Sequence, residues 1–237
     1  MWSLRMTGAV LLGAVTMSCS GSGAARDTAS STKPASLPES PAFADSTPAA
    51  GDSRGTLLFL GTSLTAGLGL DPDSAFPQRI QRKIDASRLP YQVVNAGVSG
   101  ETSAGLLRRL DWVLRQPASV IVVETGANDG LRGLPVSATR ATIADVLSRI
   151  RREQPSASIL LVQMEAPPNL GQEYTSAFHA MFGELAREHG ATLTPFLLEG
   201  VAGEALLNQG DGIHPNNAGE RIVADNVWRA LQPMLTR

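Results

Sequence analysis

Short apolar runs alternate with longer segments of helical periodicity along most of this 237-residue chain, and this alternation limits the folds open to it. The runs cover residues 56–60, 92–94, 120–123, 159–164 and 193–196, and the middle ones are almost continuously apolar, as buried parallel strands are. Strands that alternate with helices are typical of doubly wound α/β proteins. We expect a three-layer α/β/α sandwich around a five-stranded parallel sheet in the flavodoxin-like order 2-1-3-4-5.

Four helices are predicted from apolar side chains that recur every three or four residues. Their apolar faces comprise Leu106, Leu110, Val113 and Leu114; Ile143, Val146, Leu147 and Ile150; Tyr174, Ala177, Phe178, Met181 and Leu185; and, in a helix starting after Pro215, Val223, Val227, Ala230, Leu231 and Met234. Binding sites in such sheets form outside the carboxyl ends of the strands. In the expected strand order, the first three strands end side by side.

The N-terminal residues 1–19 are typical of an export signal. Arg5 precedes a small, apolar stretch over residues 7–17, which is shorter than the ~20 residues a membrane-spanning helix needs. Cys19 is the only cysteine, and its position resembles a bacterial lipoprotein cleavage and acylation site. Three outcomes stay open: lipidation of Cys19, ordinary cleavage near residues 23–25 with loss of Cys19, or no role for it. The predicted location is the periplasm, free or membrane-anchored.

Residues 20–54 are rich in Ser, Thr, Ala, Pro and Gly, and such a composition buries too little apolar surface to offset the entropy of ordering. We expect a flexible tether there, followed by one compact domain over residues 55–237. A formal net charge of −2 without a basic run gives no reason to expect a nucleic-acid partner. We expect a monomer.

Four motifs supply the groups that an acyl-transfer site needs. Ser63, Gly100 and Asn128 follow the first, second and third predicted strands, and Asp211 and His214 lie near the C-terminus. They offer a hydroxyl nucleophile, a backbone N–H, a side-chain amide donor and an imidazole that a carboxylate can orient. We predict a catalytic triad of Ser63, Asp211 and His214, with an oxyanion hole formed by Ser63, Gly100 and Asn128. This chemistry needs no cofactor and no metal.

Each motif also has a structural interpretation when taken alone. The Ser63 segment suits a strand-to-helix turn with Ser63 as helix cap, and Gly100 and Asn128 suit ordinary turns. Asp211 can cap a helix beside a surface His214. A metal site using Asp129, Asp211 and His214 is a further alternative, which the absence of a second suitably placed histidine disfavours. Convergence of all four motifs on one sheet edge favours the catalytic interpretation.

The motifs also resemble the sequence blocks of the SGNH (GDSL) hydrolases. The matching strings are Gly61-Thr62-Ser63-Leu64, Val98-Ser99-Gly100-Glu101-Thr102, Gly126-Ala127-Asn128-Asp129 and Asp211-Gly212-Ile213-His214. The resemblance spans residues 55–237 and is closest to the bacterial exported thioesterase, lysophospholipase and arylesterase branch. It implies the SGNH hydrolase fold, with Ser63 as nucleophile, Gly100 and Asn128 as oxyanion donors, and Asp211 and His214 completing the triad.

One residue departs from the family pattern, because Thr62 stands where the family usually has an aspartate. In the resemblance that aspartate braces the nucleophile turn, so we expect weaker bracing from the Thr62 hydroxyl. The rival α/β-hydrolase class has a Gly-x-Ser-x-Gly elbow after several strands. Here Thr65 occupies the last position of that pattern and Ser63 follows the first strand, which disfavours the rival.

The resulting hypothesis is a serine hydrolase that cleaves carboxylic esters, with acyl thioesters and lysophospholipids as further substrates. The apolar loops at residues 131–135 and 166–171 are expected to line the acyl pocket. Two alternatives remain: a carbohydrate O-deacetylase on the same fold, and a catalytically weak, tethered binding protein. His179 and His189 fall in or near a predicted helix and are assigned structural or surface roles.

Overall fold

The computed structural model describes residues 54–236, so residues 1–53, with the predicted export signal, Cys19 and almost all of the predicted tether, lie outside the described residues. The strands are β1 (Gly55–Gly61), β2 (Tyr91–Gly97), β3 (Val120–Val123), β4 (Ser158–Gln163) and β5 (Thr192–Phe196). They form one parallel sheet in the order β2-β1-β3-β4-β5. The predicted strands and their order are confirmed, with β2 longer than predicted.

Helices cover both faces of this sheet. They are α1 (Ser63–Ala66), α2 (Phe76–Ala86), α3 (Ser103–Val113), α4 (Ala127–Leu131), α5 (Val136–Glu153), α6 (Gln172–Glu188) and α7 (Gly219–Leu235), with short 3₁₀ turns at Pro72–Ser74 and Pro168–Leu170. In one helical layer α5 packs between α3 and α6, and in the other α2 packs against α7. The structure is therefore the three-layer α/β/α sandwich predicted from the alternation of elements.

The short helix α4 forms where Asn128, taken alone, suited an ordinary turn. Two of the longer helices also differ from the sequence prediction. Helix α2 was not predicted, although Phe76, Ile80 and Ile84 recur at helical spacing and are completely buried. Helix α7 begins at Gly219 and not directly after Pro215, because Pro215 forms an isolated antiparallel bridge with Asn208. His214 therefore lies within a loop and not immediately before a helix.

The core lies between the sheet and both helical layers. All four residues of β3 are buried, as a central parallel strand requires, and Phe59 of β1 meets Phe76 of α2 edge to face, with ring centroids 5.9 Å apart. This packing fixes the strands, so the loops at their carboxyl ends start from rigid positions. Within the described part of the chain, no helix combines the length and apolar character that crossing a membrane requires.

Candidate active site

Ser63 lies directly after β1 and is the first residue of helix α1. Thr62 is the N-cap of this helix, and its hydroxyl accepts the backbone N–H of Leu64 at 3.4 Å. The structural interpretation of this motif, with Ser63 as the helix cap, is therefore wrong, because the cap is Thr62. Because Thr62 caps the turn, the hydroxyl of Ser63 remains available for other contacts.

A buried carboxyl group braces the turn that carries Ser63. Glu124, which follows β3 directly, is fully buried and accepts the backbone N–H of Thr62 at 2.7 Å. The hydroxyls of Thr62 and Thr65 each donate to the same carboxyl oxygen at 2.9 Å. Burial raises the pKa of the Glu124 carboxyl, and the hydrogen bonds from Thr62 and Thr65 partly oppose that rise.

Sequence reasoning missed Glu124. The only signal was an acidic residue directly after an apolar strand, in a chain segment remote from Thr62. The expectation of weaker bracing at Thr62 did not foresee this partner, which supplies from β3 the carboxyl group that Thr62 itself lacks.

Ser63, His214 and Asp211 form a continuous line of hydrogen bonds. The Ser63 Oγ lies 2.9 Å from Nε2 of His214, and Nδ1 of His214 lies 2.6 Å from Oδ2 of Asp211. With the ring proton on Nδ1, the imidazole donates to Asp211 and can accept the hydroxyl hydrogen of Ser63 on Nε2. The three residues predicted as a triad thus meet in the geometry of a nucleophile, a base and its orienting carboxylate.

The loop that carries His214 is held by its own side chains. Oδ1 of Asp211 accepts the backbone N–H groups of Ile213 and His214 at 2.9 and 3.0 Å. The hydrogen bond from the His214 ring, reinforced by these two backbone donors, lowers the pKa of Asp211 well below its usual value, so this carboxylate stays ionised. Gln209, also missed in the sequence, donates its side-chain amide to the carbonyl of Leu68 at 2.7 Å and ties this loop to the segment after Ser63.

Gly100 and Asn128 border the same cavity as Ser63 and His214. Gly100 has a φ of 76°, a left-handed conformation that glycine adopts without strain, and no described residue accepts a hydrogen bond from its backbone N–H. One N–H of the Asn128 amide donates to the carbonyl of Glu101 at 3.0 Å, which leaves the second N–H available. The structure therefore brings the three predicted oxyanion donors to one place.

Asp129 does not join this group. Its two carboxylate oxygens accept hydrogen bonds from the backbone N–H of Ser103 at 2.9 Å and from the Ser103 hydroxyl at 2.6 Å. Asp129 therefore connects helix α4 to the start of helix α3. Among residues 54–236, no cluster of three or more His, Cys, Asp or Glu side chains is arranged to hold a metal ion.

A cavity of about 560 Å³ opens at Ser63 and is lined mainly by apolar side chains. Its lining residues include Leu64, Leu68, Leu131, Met164, Ala166, Pro167, Pro168, Phe196, Leu198, Ala202 and Ile213. They come from the loops after β1, β3, β4 and β5 and from the His214 loop. Parts of both loops that were predicted to line an acyl pocket, at residues 131–135 and 166–171, border this cavity.

The two remaining histidines lie outside the hydrogen-bonded line. His179 is exposed on helix α6, and its Nδ1 lies 2.6 Å from Oε1 of Glu165, a residue that borders the cavity. His189 follows the last residue of α6, and its carbonyl accepts a hydrogen bond from Arg151 at 3.1 Å. These positions agree with the structural or surface roles predicted for both residues.

Comparison with known proteins gives consistent matches. The model of the GDSL-like lipase/acylhydrolase family matches residues 59–222. Esterase TesA of Pseudomonas aeruginosa is 39% identical over 181 residues, which cover 76% of this chain and 89% of that protein. The protein of Escherichia coli named thioesterase 1/protease 1/lysophospholipase L1 is 38% identical over 181 residues, covering 76% of this chain and 85% of that protein.

A solved structure shows the same likeness in three dimensions. The psychrotrophic esterase EstA from Pseudoalteromonas, inhibited by monoethylphosphonate, superimposes with a TM-score of 0.72 at 33% identity. The match covers 77% of this chain and 100% of that one. Sequence and structure comparisons therefore cover similar shares of the chain.

Proposed function

Since this chain belongs to the GDSL-like lipase/acylhydrolase family and is a serine hydrolase that acts on esters, we propose that it works through an acyl-enzyme on Ser63. The observation that carries this assignment is the 2.9 Å contact between Ser63 Oγ and Nε2 of His214, whose other ring nitrogen binds Asp211. The alternative of a catalytically weak, tethered binding protein is not favoured, because the relatives are named as enzymes.

In the acylation step, the Ser63 oxygen attacks the ester carbonyl carbon as its proton passes to Nε2 of His214. The carbonyl oxygen becomes negatively charged and receives hydrogen bonds from the backbone N–H groups of Ser63 and Gly100 and from the Asn128 amide. Asp211 stabilises the protonated imidazole. His214 then returns the proton to the departing alcohol or thiol.

Deacylation uses the same groups in the same roles. A water molecule loses a proton to Nε2 of His214 and attacks the acyl carbon, and the oxyanion donors again stabilise the negative oxygen. Collapse of this intermediate releases the carboxylic acid, and the proton returns from His214 to the Ser63 oxygen.

The finer substrate class follows from the shape and polarity of the cavity. We propose that its apolar lining receives the acyl chain of an ester, an acyl thioester or a lysophospholipid. The Escherichia coli relative is named for thioesterase and lysophospholipase activities, which supports this extension. The Leu and Pro side chains at the cavity disfavour a carbohydrate O-deacetylase, for which polar or aromatic contacts would be expected.

The test combines covalent labelling with a series of substrates. A fluorophosphonate should modify Ser63, as mass spectrometry of the digested protein would show, and Ser63→Ala should abolish both the adduct and ester hydrolysis. Esters of p-nitrophenol with acyl chains of graded length should be cleaved better as the chain fills the cavity. Undiminished hydrolysis by folded Ser63→Ala protein would refute the assignment, and a strict preference for acetyl would favour the deacetylase.

Export and membrane attachment are a separate proposal, based on residues 1–19. We propose that the domain is exported as a monomer and held at a membrane by lipid on Cys19, at the end of the apolar stretch. Incorporation of labelled fatty acid into the full-length protein, lost in Cys19→Ser, is the expected result. Labelling that persists in Cys19→Ser, or none in either protein, would contradict lipidation, and light scattering would measure the oligomeric state.

A further inference from the structure

A second cavity lies beside Gly100. It measures about 420 Å³ and, in contrast to the apolar cavity at Ser63, is bordered by Arg108, Arg109 and Arg132. Glu101 is the only acidic residue that borders it. The composition of its border therefore indicates an excess of positive charge next to a proposed oxyanion donor.

The charges at this cavity do not cancel. Arg109 holds Glu101 through two hydrogen bonds of 2.7 Å, one to each carboxylate oxygen, and the Glu101 side chain is only 8% exposed. Because the Glu101 carboxylate is paired with Arg109, it does not neutralise another arginine at this cavity. Arg108 and Arg132 are left without an acidic partner among the described residues, so the cavity carries two uncompensated guanidinium groups.

The contacts of these two arginines leave most of their donors available. The guanidinium of Arg132 makes one hydrogen bond, to the carbonyl of Gly100 at 3.1 Å. The guanidinium of Arg108, on the exposed side of helix α3, makes no hydrogen bond or ion pair with any residue in the range 54–236. Each guanidinium has five N–H donors in a fork that matches phosphate oxygens. The pair therefore suits an anion of that shape.

The cavity at Ser63 is unsuitable for the same anion. Its lining is mainly apolar, Glu165 is its one acidic residue, and its lining residues include no lysine or arginine. Gly100 borders both cavities. An ester whose carbonyl oxygen binds at Gly100 thus has an apolar cavity and a cationic cavity within reach. Its acyl chain can occupy the first and a charged leaving group the second.

We propose that the cavity formed by Arg108, Arg109 and Arg132 is a subsite for a phosphate group carried by the leaving group of the substrate. This inference rests on the proposed function and narrows its substrate class to acyl esters or thioesters whose alcohol or thiol is phosphorylated. Arg108 and Arg132 bind the phosphate directly, and Arg109 holds Glu101 away from it. The phosphate has two possible sources, glycerol phosphate in a lysophospholipid and a phosphorylated thiol carrier.

The main experiment compares two soluble substrates that differ only in the phosphate, octanoylglycerol phosphate and octanoylglycerol. In Arg108→Gln and in Arg132→Gln, kcat/KM for the phosphorylated ester should fall about tenfold more than kcat/KM for the neutral ester, as expected for loss of a charge-assisted hydrogen bond. Because Arg132 also contacts Gly100, Arg132→Gln is expected to change kcat/KM for both esters. Only the ratio of the two values then reports on the phosphate. Arg115→Gln, which removes an exposed arginine beyond the far end of α3, should leave the ratio unchanged.

A second pair of substrates distinguishes the two sources of phosphate. Octanoyl-coenzyme A and the octanoyl thioester of N-acetylcysteamine share the thioester but not the phosphates. A larger effect of Arg108→Gln on the coenzyme A thioester than on octanoylglycerol phosphate identifies a thiol carrier, and the opposite order identifies glycerol phosphate.

Binding of glycerol 3-phosphate provides a test that needs no turnover. In wild-type protein its titration should shift the backbone amide resonances of Gly100 and Arg108, and Arg108→Gln should weaken that binding about tenfold. Equal losses on phosphorylated and neutral esters, or amide shifts that are the same in wild type and Arg108→Gln, would overturn the subsite. So would effects that occur only on anionic vesicles and not on monomeric substrate, since the arginines would then contact a membrane surface.

The two proposals fail in different ways. If fluorophosphonate does not label Ser63, the acyl-enzyme is wrong, whatever the titration shows. If Ser63 is labelled and neutral esters are cleaved but the phosphate makes no difference, only the subsite is wrong.

Discussion

At the scale of single residues, Asn128 is the proposed oxyanion donor whose role can be tested most directly. Asn128→Ala removes the amide but keeps the backbone of α4, so kcat should fall ~10²–10³-fold with a smaller change in KM. The reason is that the amide binds the negative oxygen of the transition state more strongly than the neutral ester. Steady-state kinetics on a p-nitrophenyl ester would measure this effect. A change confined to KM would show that Asn128 binds substrate without stabilising the oxyanion.

We expect Glu124 to affect the reaction through the turn that carries Ser63. Glu124→Ala leaves the Thr62 N–H and two hydroxyls without their acceptor, so Ser63 should lose its position and kcat should fall by up to about 10²-fold. Glu124→Gln keeps an acceptor for the Thr62 N–H and should retain most of the activity. The measurements are kcat and the rate of fluorophosphonate labelling, at a temperature where circular dichroism shows both variants folded.

Comparison of the two Glu124 variants distinguishes the need for a hydrogen-bond acceptor from the need for a negative charge. If Glu124→Gln loses as much activity as Glu124→Ala, the turn needs an ionised carboxylate and not simply a hydrogen-bond acceptor. If neither variant changes kcat or the labelling rate, Glu124 contributes only to the stability of the fold.

At the scale of elements, the packing of helix α7 against α2 contains a buried acid. Glu220, in the first turn of α7, is 1% exposed, and burial raises the pKa of its carboxyl from 4.5 to about 8. Between pH 4.5 and about 8, the Glu220 carboxyl is therefore protonated in the folded protein and ionised in the unfolded chain. Its contribution to stability is fully present below pH 4.5 and is lost as the pH rises to about 8.

Glu220→Gln should remove this dependence on pH, because the amide does not titrate. Relative to wild type, the variant should gain a few kcal/mol of unfolding free energy between pH 5 and 9. Urea unfolding at both pH values would measure this difference. Glu173→Gln, which removes an exposed carboxyl from the first turn of α6, is the matched control. A difference between Glu220→Gln and wild type that is constant with pH would contradict the prediction.

The elements also explain part of what sequence analysis missed. Helix α2 has a regular apolar spacing, but it is short and largely charged or polar between Phe76, Ile80 and Ile84, so its signal was weak. The start of α7 depends on the bridge between Asn208 and Pro215 and on Asn216, whose side chain accepts the N–H groups of Ala218 and Gly219. Such contacts belong to the folded loop, and the helical periodicity of the sequence does not contain them.

At the scale of the whole molecule, the cavity at Ser63 is assembled from segments that follow all five strands. Ala202 lines it and is exposed, so Ala202→Phe should fill part of the cavity without disturbing the core. The expected result is a loss of about tenfold in kcat/KM for a dodecanoyl ester relative to an acetyl ester, because hydrophobic pockets discriminate by such factors when acyl carbons lose their contacts.

The control for this prediction is Ala141→Phe, on the exposed side of helix α5 and outside the cavity. It adds the same aromatic ring to the protein and should leave the ratio of the two esters unchanged. Equal ratios in Ala202→Phe and wild type would mean that the acyl chain lies elsewhere.

The sequence by itself determined the class of fold and the chemistry. Buried parallel strands must be apolar and helices must show a 3.6-residue period, so the alternation of the two patterns predicts the sheet and its flanking layers. The proposed triad and oxyanion residues were also visible in the sequence, because a nucleophile, a base and donors require particular side chains after particular strands. Each of these residues can be recognised from its own short stretch of sequence: Ser63, Gly100, Asn128, Asp211 and His214.

Only the tertiary structure decided which distant groups support those residues. In the register of β1 with β3, Leu60 lies beside Val123, so the residues that follow these strands, including Thr62 and Glu124, meet beneath Ser63. The same convergence puts Arg108 and Arg132 at one cavity beside Gly100. Sequence periodicity reports the environment of each residue along its own element. The partners of a residue depend on strand register and helix packing, which arise only when the whole sheet is assembled.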